Sequence, residues 1–362
     1  MKLFFGPTIL LLLSVVPTTT AAPKAAVRVG SPDQGCRTVR SLALPEDTAC
    51  TLYQKDTQWE DGHDDQVWSC EFTKEQATVM EAGGLDTSAG INDMLEIDSI
   101  AANEIIDDAG VISGTAILQS SDFKLKQCNG AGVIKLVVPK DDTLYEIKEL
   151  SEDDRRHYKA RRARRRALSL QSGRDYGHRN LVDSKGTFET LVVRVKASNG
   201  KEPAGSEMDL YDDIFNDSSS LRSQYAACSK DQLIFNPAQG YGSPVTGNSD
   251  TNTGVVTVNV DVDSSDFQVL ETSAFSKASE TYGTLSQQFD LVIFCQPSSG
   301  SWVGYAYVND YRSFYNDFWC SKMSALVHEV GHNLGLHHSG VDIDGLINPS
   351  WWLETYGDLS GT

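Results

Sequence analysis

His328, Glu329, His332 and His338 are the residues of this chain whose types and spacing could do chemistry together. Four residues of α-helix advance about 400°, so the rings of His328 and His332 leave one face roughly 6 Å apart along the axis. Two imidazoles so placed can share one ion at metal–nitrogen distances of about 2.0–2.1 Å. Glu329 lies about 100° round the helix from the first ring, where it reaches a water on that ion without being a ligand itself. Two protein ligands are too few for a catalytic zinc, which takes three and keeps one position open. Gly335 ends the helix with a sharp turn, and His338 then returns as the third ligand. His337 is one residue short of that spacing and is read as a neighbour that hydrogen-bonds or faces solvent. Three neutral imidazoles leave a zinc ion its full double charge, which lowers the pKa of a bound water toward about 7 and polarises a carbonyl. Glu329 is placed to take the water proton and hand it to a departing amine. The motif therefore predicts one catalytic Zn2+, with His328, His332 and His338 as metal ligands and Glu329 as the catalytic base. Four of the seven histidines fall between 328 and 338, a clustering that composition does not explain.

Elements must carry these residues. The pattern predicts strands over 189–196, 232–235, 255–262, 290–295 and 303–308, with helices over 207–215, 221–227 and 266–287 between them. Strands alternating with helices predict an α/β layer. The zinc-motif helix is expected to run from about Tyr315 to Leu334, with Gly335 in the left-handed conformation after it. Further upstream, 111–119 and 132–138 read as strands and 91–106 as helix, a mostly β region with no catalytic constellation.

At 362 residues the chain is long enough for two ordinary domains. Its net charge of −19 argues against nucleic acid as a partner, because phosphate binding needs clustered Lys and Arg. Residues 1–22 read as a secretory signal peptide: Lys2, an apolar stretch over Leu3–Val16, then small residues over Thr18–Ala22. That stretch is short for a membrane span of about 20 residues, and no later segment is apolar enough to cross a bilayer. Seven cysteines in a secreted chain predict disulfides with one residue left over. Eight of the twelve residues 155–166 are basic. Within them Arg162-Ala163-Arg164-Arg165 fits the Arg-x-Arg-Arg pattern cut by subtilisin-like convertases, so the run is read as a processing site near Arg165 or Arg166. The expected organisation is a signal peptide (1–22), a mostly β prodomain (23–166) and a catalytic domain (167–362). Asn216-Asp217-Ser218 is a glycosylation sequon. Asp261, Asp263, Asp342 and Asp344 are read as solvated loop acids rather than a Ca2+ site.

The histidine motif resembles that of the metzincin superfamily, and the wider stretch looks like its gametolysin-like branch of algal peptidases. The residues carrying the likeness are Leu221–Cys228, Gly304–Asn309, Tyr315–Cys320 and Val327–Gly335. It implies a zincin-like catalytic domain, a mixed sheet with an active-site helix, acting as an endopeptidase on extracellular (cell-wall or matrix) proteins or glycoproteins. It also implies that 301–308 is an edge strand above the cleft, on which an extended substrate pairs by strand addition. One departure stands out. The superfamily has a methionine turn after the third histidine, and no methionine lies between Ser339 and Thr362. The likeness thus implies a chain that stops before that turn. The residues also leave open a prodomain cysteine capping the metal, and a non-catalytic extracellular binding or matrix protein that keeps the fold without a completed site.

Overall fold

The valine- and leucine-rich run Leu191–Val195 is buried on both sides, which suits a central strand of a parallel sheet covered by helices on both faces. In the computed structural model it is the middle of β9 (Gly186–Lys196). The model describes residues 41–45, 47–82, 90–128, 133–150, 185–245 and 248–338. Residues 1–22, read above as a signal peptide, the basic run at Arg162–Arg166, Cys36, Asp342, Asp344 and everything after His338 lie outside the described residues.

From residue 185 onward the order is β9, α3 (Glu207–Tyr211), α4 (Leu221–Ser229), β10 (Leu233–Pro237), β11 (Pro244–Val245), β12 (Asn248–Asn252), β13 (Val255–Asn259), α5 (Phe267–Tyr282), α6 (Leu285–Gln288), β14 (Leu291–Gln296), β15 (Trp302–Tyr307), β16 (Arg312–Asn316) and α7 (Met323–Asn333). The N-terminal segment contributes β1 (Ser41–Ala43), β2 (Thr48–Trp59), β3 (Asp64–Glu71), α1 (Lys74–Ala82), β4 (Met94–Glu96), α2 (Ile100–Asp108), β5 (Ala116–Ser120), β6 (Lys124–Cys128), β7 (Val133–Val137) and β8 (Tyr145–Glu149). The molecule is mixed α/β, and its N-terminal segment is mostly β.

Strands β9, β10, β13, β14 and β16 pair in parallel. β15 is antiparallel to β16, and on its other side antiparallel to β2. One mixed sheet of order β10-β9-β14-β16-β15-β2-β3-β4 therefore runs through both segments. The expectation that 301–308 is an edge strand is corrected here. Among the described residues from 185 to 338, β15 pairs only with β16, but in the intact chain β2 takes its free side.

Two expected helices are also corrected. The 91–106 run holds the short strand β4, and helix begins only at Ile100, where the Ser99 side chain accepts from Ala102 N–H. The zinc-motif helix begins at Met323, not Tyr315. Tyr315 and Asn316 are held in the sheet by Cys295 and Gln296 of β14, and Asp317, at φ 50°, opens a single tight turn over Asp317–Ser321. The Cys295–Cys320 disulfide ties that turn to β14.

The apolar clusters follow these layers. Phe188, Leu210, Leu233, Leu326 and Val330 pack on the α7 side of the sheet. Val193, Leu270, Phe294, Tyr305 and Phe314 pack on the α5 side, where Tyr53 and Met94 of the N-terminal segment join them. A third cluster belongs to the N-terminal segment alone and includes Leu52, Trp68, Ile106 and Leu118.

Candidate metal centre

Helix α7 presents His328 and His332 on one face, as the four-residue spacing requires. After it, Leu334 caps the helix and Gly335 takes φ 84°. Gly335 N–H donates to His332 O and Leu336 N–H to Gly331 O, so the last turn closes on its own carbonyls and sends the chain back. His338 arrives beside the first two rings. Its Nε2 lies 3.2 Å from His328 Nε2, and His332 Nε2 lies 3.1 Å from the same atom. Ligand atoms about 2.0–2.1 Å from a tetrahedral ion stand about 3.3–3.4 Å apart, so both separations from His328 are close to what one ion needs, and all three ligand nitrogens lie within 4.8 Å of one another. These three histidines form a group that could hold a metal ion. His337 is exposed and outside it.

The surroundings prepare the rings. His332 Nδ1 lies 2.8 Å from Leu336 O. With Nδ1 donating there, the Nε2 lone pair is left for a metal, the usual outer-shell device. Asp64 Oδ2 sits 3.5 Å from His338 Nδ1 and orients the third ring in the same sense. Burial, then the neighbouring rings His332 and His338, lowers the pKa of His328 to about 3. Burial likewise lowers that of His332. Neutral imidazole is the form that binds metal.

Glu329 is fully buried, and neither carboxylate oxygen has a hydrogen-bond partner. Burial, then the charges of Asp56 and Asp64, pushes its carboxyl well above the ordinary range. An unpartnered buried carboxylate is costly unless a cation or an ordered water completes it. The donor set and the orphaned acid together fit a divalent ion with a water beside it.

Two features of the site were not legible in the sequence motif. Gly304 lies against Glu329: a Cβ there would sit 3.0 Å from both Glu329 Cγ and Oε1. The signal was present, since Gly304 and Ala306 are the small residues of a strand otherwise made of Trp, Val and Tyr. A bulge between Trp302 and Gly304 sends Trp302 to the opposite face. The second feature is Asp56 of β2, whose Oδ2 is 3.4 Å from His338 Nε2 and 3.9 Å from His332 Nε2. Nothing near Asp56 in sequence marks it.

Cys50 pairs with Cys70, and Cys128 is also disulfide-bonded. The reading of a prodomain thiolate over the metal thus finds no free cysteine among the described N-terminal residues. Cys228 is free and exposed.

No family model, no curated protein and no solved structure matches this chain.

Proposed function

We propose that this protein is the precursor of a secreted zinc endopeptidase resembling the gametolysin-like metzincins, with residues 23–166 as prodomain and 167–362 as catalytic domain. One observation carries the reading: the Nε2 atoms of His332 and His338 lie 3.1 and 3.2 Å from that of His328, all three ligand nitrogens within 4.8 Å of one another, beside a buried glutamate with both oxygens unpartnered. An all-imidazole donor set would suit zinc among the common divalent metals. When bound, the ion supplies a Lewis acid and an acidified water. His328, His332 and His338 hold it, with His332 oriented by Leu336 O and His338 by Asp64. Glu329 accepts the water proton and delivers it to the leaving amine, and Gly304 leaves room for that carboxylate beside β15. Once processing near Arg165 or Arg166 releases β2, the vacated side of β15 offers its backbone N–H and C=O groups to an extended protein or glycoprotein substrate.

Two bonded cysteine pairs fit an oxidising extracellular compartment. No described helix is long and apolar enough to cross a membrane. The test is casein hydrolysis by the convertase-processed protein. The expected result is one zinc per chain, metal lost on His338→Ala, and hydrolysis abolished both by a chelator and by Glu329→Gln. Hydrolysis that persists in Glu329→Gln overturns the mechanism. Full zinc with no hydrolysis of any peptide library favours the non-catalytic binding protein instead.

A further inference from the structure

We infer that in the intact chain Asp56 is the fourth ligand of the metal, so that the prodomain strand β2 closes the centre with a carboxylate at the same time as it fills the substrate side of β15. This inference rests on the metal-centre reading above and adds how that centre is kept inactive.

The register places the residue. Asp56 pairs with Ala306 and Lys55 with Tyr307. Directly paired residues of antiparallel strands share a face, so Asp56 points with Ala306 and Gly304 toward α7, while Lys55 points the other way. Asp56 is 1% exposed. Its Oδ2 faces the His332–His338 edge of the triad at 3.9 and 3.4 Å, near the about 3.3–3.4 Å separation of ligand atoms on one tetrahedral ion. Gln66 Nε2 donates to Oδ2 at 2.6 Å and holds the carboxylate in place, whereas Oδ1 is buried without a partner. Asp56 thus brings a second buried carboxylate, with one oxygen unpartnered, against the same histidines as Glu329. A cation at the triad would compensate the charge of both buried carboxylates.

Asp64, the other acid of this hairpin near the site, lies against His338 Nδ1 rather than Nε2 and so orients a ring. The thiolate alternative has no free cysteine among the described N-terminal residues. Chemically, three histidines and a carboxylate close the coordination shell that catalysis needs open. The backbone closes the cleft as well. Tyr305 pairs with Thr57, and Val308 N–H donates to Gln54 O at 2.8 Å, so no substrate strand can add while β2 is in place. Cutting the chain in the basic run breaks no bond to the metal. Release of β2 as a strand is what exchanges Asp56 for water.

The experiment uses the full-length, uncleaved chain carrying Glu329→Gln against self-digestion and loaded with Co2+. The visible spectrum is read during azide titration, with X-ray absorption to count ligands. The expected result is a four-coordinate ion with three nitrogens and one oxygen ligand, no spectral response to azide, and a clear response in Asp56→Ala. Metal affinity of Asp56→Ala should fall about tenfold or more at unchanged stoichiometry. Asp56→Asn, which keeps the side-chain shape, serves if the alanine variant does not fold. Azide binding to the parent chain as readily as to the Asp56 variants overturns the inference while leaving the metal centre standing. Absence of any bound Co2+, or Co2+ retained in His328→Ala, overturns the metal centre itself and the inference with it.

Discussion

Glu271 and Glu329 are buried to nearly the same degree, 4% and 0% exposed, on opposite faces of β15. Glu271 accepts from four donors: Lys55 at 3.4 Å, Asn92 at 3.1 Å, Tyr305 at 3.1 Å and Tyr307 at 2.5 Å. Burial and the Glu271 charge push both phenols well above their usual range, so they remain donors. Glu329 has no donor at all. A saturated buried carboxylate is a structural joint, here one that locks Lys55 and Asn92 of the N-terminal segment onto α5. An unsaturated one is kept where something outside the protein completes it. The two faces of β2 follow the same division: Lys55 enters the saturated network, and its neighbour Asp56 faces the unsaturated centre. Arg312, fully buried against Asp310 at 3.0 Å and Asp93 at 2.9 Å, extends the joint.

Substitutions sharpen this contrast, beginning with the largest effect. If the proposed function holds, Glu329→Gln in the processed protein should lower kcat/KM about 10³-fold or more through loss of the proposed general base. Its zinc content and thermal midpoint should stay level or rise, and a marked loss of stability would place Glu329 in the structural class. Glu271→Gln should do the reverse. It leaves Lys55 buried without its countercharge and should cost the intact chain about 3–5 kcal/mol in denaturant unfolding, with metal stoichiometry unchanged. Gly304→Ala should displace the Glu329 carboxylate and cost about 10²-fold in kcat with zinc retained; wild-type turnover would show that the 3.0 Å contact relaxes elsewhere. Lys55→Met should be mildest, about 1–3 kcal/mol, because Asn92 and two phenols still serve Glu271. Its signature is earlier proteolytic release of the N-terminal segment at unchanged activity of the processed form.

Much of the candidate metal site was legible because helix periodicity is local. The 328/332 spacing and the glycine stop define one face and one reversal whatever surrounds them, and Gly335 takes the left-handed turn expected of it. The alternating strands and helices after residue 185 were legible for the same reason: continuous apolar runs such as Leu191–Val195 mark buried strands by themselves. Tyr315–Ser321 misled because its aromatic, helix-compatible residues carry no sign of the pairing with β14 or of the Cys295–Cys320 bond that hold them out of the helix.

By itself, the sequence determined the three imidazoles, the acid beside them and the basic run, all features carried by neighbours along the chain. The tertiary structure alone decided that β2 lies against β15, that Asp56 faces the histidines while Lys55 is buried on the far side, and that Glu271 is satisfied where Glu329 is not. Those pairings join residues more than two hundred positions apart. Strand register, which no local pattern of β2 encodes, selects which face of the sheet each charge enters.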